Sequence, residues 1–354
     1  MSDLKEKIRE LIEQETKNGH FSVLNSANVD LIEQILSNYQ HANGLKESLP
    51  EELPKKGELI FVAAPTGAGK DALVARLNHQ NPEKNYIELN MDIFRHYFPQ
   101  FIDDPQNLTD KNFAQMTNEF AYELYYAIQE LLLQEFPGTN IIITGTLRET
   151  DWVEQTFEKF KANDKTDYKV KLVCLAVPKT ESALSVIHRY VEIVNTQKNR
   201  LEYYPGTARY TTMQYHDETY EKFPKNLEYF QEKFEREPGK LIDCIEVHRR
   251  GKSVFDLDED TKIFSTDDEQ DSEKTPLDEV IKLRSKPYKA KFEKIDLIML
   301  RIRENKDYLE AQDTLIELLR DLAIILDCPT ILKRLDKAQD EEKKTDDDMT
   351  IGEN

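Results

Sequence analysis

The chain of 354 residues carries 68 acidic against 48 basic side chains, a formal charge of −20. That balance excludes a general nucleic-acid or anionic-membrane surface, so any phosphate site must be local. Three scattered cysteines, Cys174, Cys244 and Cys328, lack C-x-x-C spacing, which predicts neither a disulfide framework nor a zinc cluster; two of them sit in apolar, strand-like runs and read as buried inert thiols.

The N-terminal "MSDLKEKIRELIEQETK" is charged and amphipathic, without the apolar core of a signal peptide. No run approaches about 18 apolar residues, so a soluble, reducing, cytoplasmic setting is expected, with neither membrane nor nucleic acid as partner. Residues 1–50 read as an N-terminal helical extension, with helices around Leu4 to Lys17 and Val29 to Tyr39, closed by the Pro- and charge-rich "GLKESLPEELPKKGE". From 55 to 257, strand-like runs "ELIFVA", "NYIELN", "NIIITG", "YKVKLVCLAV" and "CIEVHR" alternate with helical periods. Such alternation predicts an α/β domain: a mostly parallel sheet with helices on both faces. Residues 258–274, within "DLDEDTKIFSTDDEQDSEK", are too acidic and apolar-poor for a core and read as a linker. A C-terminal helical segment follows over 275–340, and 341–354 is expected to be a disordered tail.

The first strand opens into "FVAAPTGAGKDALVARL", residues 61–77, which approaches the phosphate-loop pattern G-x-x-x-x-G-K-[S/T] with Ala64 at the first glycine and Asp71 after the lysine. Pro65, Thr66, Gly67, Ala68, Gly69, Lys70, Asp71 and Ala72 lie between a strand and a helix, where backbone N–H groups can cradle an anion and Lys70 can reach outer phosphates. Asp71 replaces a hydroxyl that normally touches magnesium; its carboxylate can bind the metal, repel phosphates, or simply complement the helix dipole.

About twenty residues on, "NMDIFRHYFPQF" sets Asp92 just past a strand end, as a general base for an acceptor hydroxyl or as a helix cap. Arg189 in "VIHRYVEIV" and Arg209 in "PGTARYTT" are candidates for clamping phosphates, against the alternative of surface ion pairs. His188, beside Arg189, reads as structural.

Taken in order, "PTGAGKD", "MDIFR", "IIITGTLRETD", "LAVPKTESALSVIHRY" and "TARYTTMQYHD" resemble the zeta toxin family of phosphotransferases over about residues 55–255. The resemblance implies a P-loop kinase-like fold, ATP and Mg2+ as cofactors, UDP-N-acetylglucosamine as acceptor, and a small helical antitoxin as partner. It implies Lys70 as the phosphate lysine, Asp92 as general base, Arg189 and Arg209 as phosphate clamps, and a cleft lined by Arg95, Thr144, Thr146, Arg148 and Thr156. Where the family usually reads "IEGT", with a glutamate that holds the sugar, this chain reads "ITGT" with Thr144; where the family reads "FRxxHP", it has Phe98. The expectation is an ATP-dependent kinase of a small-molecule hydroxyl, the alternative being a catalytically impaired nucleotide-binding or interaction protein. Helices on both sides of the core also admit an inhibitor in cis.

Overall fold

The computed structural model describes residues 2–43, 55–98, 113–198, 211–249 and 262–266, together with a few helical residues between 317 and 332. Among the described residues six strands form one sheet in the order β2-β3-β1-β4-β5-β6: β1 Lys55–Ala63, β2 Ile87–Leu89, β3 Ile141–Gly145, β4 Thr166–Ala176, β5 Cys244–Arg249 and β6 Lys262–Ser265. The first five run parallel, and β6 pairs antiparallel with β5. Central β1 reads Leu59-Ile60-Phe61-Val62-Ala63 without a polar residue because both of its faces are covered. Leu59, Phe61 and Ala63 enter the larger core, while Ile60 and Val62 enter a smaller one on the opposite face.

The helices are α1 Ser2–Lys17, α2 Val29–Asn43, α3 Lys70–Gln80, the single-turn α4 Met91–Phe94, α5 Phe113–Glu135, α6 Thr150–Lys161, α7 Lys179–Lys198 and α8 Met213–Arg236. Leu73, Val74 and Leu77 of α3 fill the smaller core. The larger core takes its apolar side chains from α5, α6 and α8, including Phe157 and Phe160 of α6, and from the N-terminal pair α1 and α2. This is an α/β, P-loop kinase-like sheet with helices on both faces.

The N-terminal pair is tied to α5 by more than apolar packing. Glu123, only 2 % exposed, accepts hydrogen bonds from the backbone N–H groups of Ser22, Val23 and Leu24 between the two helices. Lys7 of α1 adds a 2.5 Å ion pair with Glu135. Three donors in a turn with no helical partner are thus satisfied by one buried carboxylate.

The sheet reaches into the stretch read as an acidic linker: Phe264 of β6 sits opposite Val247 of β5. Ile263 and Phe264 give that short strand its apolar content despite the acidic surroundings. The rest of that stretch, most of the C-terminal helical segment, Cys328 and the tail lie outside the described residues. Of the segment's described residues, Leu319 and Ala323 are buried. Cys174 and Cys244 are buried free thiols on β4 and β5, and burial pushes the Cys174 thiol up. Among the described residues no helix is long and apolar enough to cross a membrane.

Candidate active site

The loop between β1 and α3 leaves the sheet at its carboxyl edge, where ligands of open α/β sheets are held. Gly67 at φ 81° and Gly69 at φ 96° are left-handed, the region where a side chain costs most. A Cβ on Gly67 would lie 2.5 Å from the carbonyl oxygen of Ser182 and 2.7 Å from Val186, so the loop's turn rests directly on α7. Ala64 is not among the described left-handed residues. It is buried in the smaller core, and its N–H donates to the Gly145 carbonyl at 3.0 Å. The two glycines that the backbone requires are present, and the one replaced by Ala64 is not required here.

Lys70 opens α3, and its Nζ turns back to the Ala64 carbonyl at 3.1 Å. Burial pushes this ammonium down to about 8 from its ordinary 10.5; the charges of Asp71 and Asp92 oppose the shift and the Arg189 guanidinium adds to it. Lys70, Asp71, Asp92 and Arg189 therefore share one electrostatic environment although they come from three helices. Arg189 is exposed on α7, while the buried His188 beside it is turned inward. Arg209 lies outside the described residues.

Asp92 sits in the first turn of α4, its carboxylate half exposed. The cap of that turn is Asn90, whose Oδ1 accepts from the Asp92 N–H at 3.0 Å, leaving the Asp92 carboxylate for other work. Asn90 Nδ2 donates to Glu88 at 3.1 Å. Burial, reinforced by the charge of Asp71, raises the Glu88 carboxyl above its ordinary value, against the Asn90 bond. Arg95, 8 % exposed, donates from Nε to Asp92 at 3.1 Å, from Nη1 to Thr117 at 3.1 Å and from Nη2 to Asn118 at 3.0 Å. This guanidinium is fixed by α5 and in turn orients Asp92, so its place is behind the general-base candidate rather than in the cleft.

Of the expected cleft residues, Thr144 and Thr146 lie half-buried at and just beyond the carboxyl end of β3, Thr144 beside Val62 of β1. Arg148 stacks its guanidinium 4.5 Å from the Tyr215 ring centre. Thr156 is 5 % exposed, and its hydroxyl donates to the Trp152 carbonyl within α6 at 2.8 Å; it offers a ligand little. Phe98 packs edge-on to Phe120 with centres 5.6 Å apart, as part of the core's rim. Glu88, Asn90, Thr117 and Asn118 were not singled out by sequence; only Asn90 carried a signal, being a cap-forming residue before a helical turn.

Asp71 is exposed in the first turn of α3, with its charge felt by both Lys70 and Glu88. Among the described residues no group of three or more His, Cys, Asp or Glu is placed to hold a metal ion. A single oxygen donor beside a phosphate loop nonetheless fits magnesium, which keeps waters and takes one or two carboxylates together with substrate phosphates.

The Zeta toxin family model matches residues 42–262. A zeta toxin of Streptococcus agalactiae is 31 % identical over 162 residues, which are 46 % of this chain and 52 % of that protein. One of Streptococcus pyogenes is 29 % identical over 194 residues, 53 % of this chain and 63 % of the relative. The matched stretches thus span between about half and two thirds of these curated relatives' length. A solved chain of the PezAT chromosomal toxin-antitoxin system of Streptococcus pneumoniae superposes with a TM-score of 0.56 at 18 % identity, over 84 % of this chain and 98 % of that one, a likeness of fold. With the matched model covering well over half its length, from before β1 to the start of β6, the chain belongs to the Zeta toxin family.

Proposed function

We propose that the protein is a phosphotransferase that moves the terminal phosphoryl group of ATP to a hydroxyl of a small molecule, a nucleotide sugar being the acceptor class. The observation that carries this reading is the shared environment of Lys70, Asp92 and Arg189 at the mouth of a loop whose two conformationally required glycines are in place. The loop amides and Lys70 hold the outer phosphates. Asp92, held by Arg95, orients the acceptor hydroxyl and takes its proton. Arg189, with Arg209 as the second arginine, balances charge that builds on the transferring group. Asp71 is the residue that would hold magnesium, which would supply positive charge to offset that of the phosphates.

Thr144 bears on the acceptor. A threonine presents one hydroxyl where a glutamate would accept two bonds, so UDP-N-acetylglucosamine is held less well unless another group compensates. The crowding of Asp71 and Glu88 beside the loop favours a second reading, a nucleotide-binding protein without turnover. A helical antitoxin is the partner class we assign, by analogy with the toxin-antitoxin system to which the pneumococcal chain belongs.

The test is incubation with γ-labelled ATP, magnesium and a panel of nucleotide sugars. Label transfer to one sugar that is lost in Asp92→Asn supports the kinase. Tight ATP binding with no transfer to any sugar supports the silent module, and no ATP binding removes the loop from the account.

A further inference from the structure

Behind the phosphate loop runs a chain of polar groups that the proposed chemistry does not use. Ser182, fully buried in the first turn of α7, donates its hydroxyl proton to the Thr66 carbonyl of the loop at 2.7 Å. Its oxygen then remains as an acceptor, and 3.0 Å away lies Nε2 of His216. Because the serine proton is committed to Thr66, Nε2 must carry the proton of that second bond. His216, 1 % exposed, belongs to the first turn of α8. Its ring lies 4.8 Å from that of Tyr220, whose hydroxyl donates to the Val177 carbonyl at 2.9 Å. Asp217 pairs with Lys179 at 2.9 Å. The start of α8 is thereby fixed to the β4–α7 junction.

We propose that His216 and Ser182 are positioning residues that fix the Thr66–Gly67 peptide for phosphate binding; this deepens the phosphotransferase reading and rests on it. A trans peptide is planar, so its carbonyl and the following N–H point in opposite directions. Drawing the Thr66 carbonyl toward α7 turns the Gly67 N–H away from α7, into the concavity of the loop where an anion is received. Without that bond the peptide is free to rotate, because Gly67 is permissive and already left-handed at φ 81°. The same close approach that excludes a Cβ from Gly67 brings the loop within reach of Ser182. His216 acts one step back: it fills the second side of the serine oxygen and so holds the hydroxyl in the rotamer that points at Thr66.

The experiment compares wild type with Ser182→Ala, His216→Phe, His216→Gln and the Ser182→Ala/His216→Phe double variant, reading melting temperature, ATP affinity by calorimetry, and the NMR order parameter of the Gly67 N–H vector without nucleotide. Phenylalanine keeps the ring beside Tyr220 but has no donor, whereas glutamine restores an N–H. Ser182→Ala and His216→Phe are each expected to weaken ATP binding roughly 5- to 30-fold, the range of one lost orienting hydrogen bond. The double variant should be no weaker than Ser182→Ala, since the two act in series, and His216→Gln should recover most of the loss. The Gly67 order parameter should fall in both single variants. An unchanged order parameter and affinity in a stably folded His216→Phe, or strictly additive losses in the double variant, would overturn the proposal. Should wild type bind no ATP, the phosphotransferase reading fails, and the Gly67 order parameter alone still decides whether the clamp exists. If His216→Phe does not fold, Ser182→Ala against His216→Gln gives the same decision: a lowered order parameter in the first and a near-wild-type one in the second support it, and any other pattern refutes it.

Discussion

Lys70 offers a test of the phosphate loop that requires no knowledge of the acceptor. Burial pushes its ammonium down to about 8, against an ordinary 10.5. Phosphate oxygens seated on the ammonium stabilise the charged form and return its pKa to the ordinary range or above. Binding must then take up a proton near pH 8. The sign follows: affinity is level below pH 8, where Lys70 is already charged, and falls as pH rises above 8, where protonating the free site becomes part of the cost. Between pH 7 and 9 the charged fraction of the free site drops from about nine-tenths to about one-tenth, so affinity should fall about tenfold, roughly 1.4 kcal/mol. The nucleotide's terminal phosphate, with a second pKa of about 6, does not contribute in that window. Calorimetric titration with ATP at pH 8, in two buffers of different ionisation enthalpy, should report uptake of about half a proton. Lys70→Ala should lose both the uptake and most of the affinity. Equal affinity at pH 7 and 9 with no proton uptake would refute a buried Lys70 ammonium that titrates near 8 and receives the phosphates, and unchanged affinity in Lys70→Ala would remove Lys70 from the phosphate site.

Three further outcomes are expected. Asp92→Asn should keep ATP affinity and melting temperature while turnover falls roughly 10²-fold or more; because Asn90 already caps the turn, a large drop in melting temperature with activity per folded molecule preserved would contradict the general-base role. Glu123→Ala strands the backbone donors of Ser22, Val23 and Leu24, costing about 2–4 kcal/mol, with hydrogen exchange over residues 2–43 accelerating before the sheet does; uniform acceleration across the domain would show that α1 and α2 do not loosen separately. Thr144→Glu should raise use of UDP-N-acetylglucosamine on the order of 10- to 10³-fold, a reading that fails if wild type already turns that sugar over at about 1–100 per second and the variant gains nothing.

The sheet was readable because its central strands carry unbroken apolar runs, Leu59 to Ala63, Ile141 to Ile143 and Leu172 to Ala176, as strands covered on both faces do. The loop was readable because glycines and a lysine at fixed spacing follow such a strand. What escaped was whatever depends on distant parts of the chain meeting. Ser182 and His216 stand 34 residues apart and become a pair only when α7 and α8 dock at the loop. Arg95 carries the same motif whether it faces a substrate or a carboxylate, and only Thr117 and Asn118 of α5 reveal which. Thr156 has the spacing of a cleft residue, but its hydroxyl is bonded within its own helix, a bond that the motif does not display. Strand β6 was hidden because four acidic residues precede Lys262 within six positions, and composition weighs a whole window whereas pairing with β5 requires only a few residues.

The altered loop raises the question of whether it is a working site or a remnant, and the positions of the alterations bear on it. Loss of selection for phosphate binding would expose all loop glycines to substitution, subject only to what folding demands. Ala64 replaces a glycine at a position that is not left-handed and faces a core with room for a methyl group. Asp71 is exposed on the first turn of α3, where a carboxylate favours the helix dipole by about 0.3–1 kcal/mol with or without a ligand. Both changes therefore fall where the fold is indifferent or gains slightly. Lys70 is different. Its ammonium is held in surroundings that lower its pKa, and a neutral side chain there would remove that desolvation cost. The hydrogen bond to the Ala64 carbonyl at 3.1 Å is a modest folding return for that cost, whereas a polyphosphate gives the ammonium a partner of opposite charge.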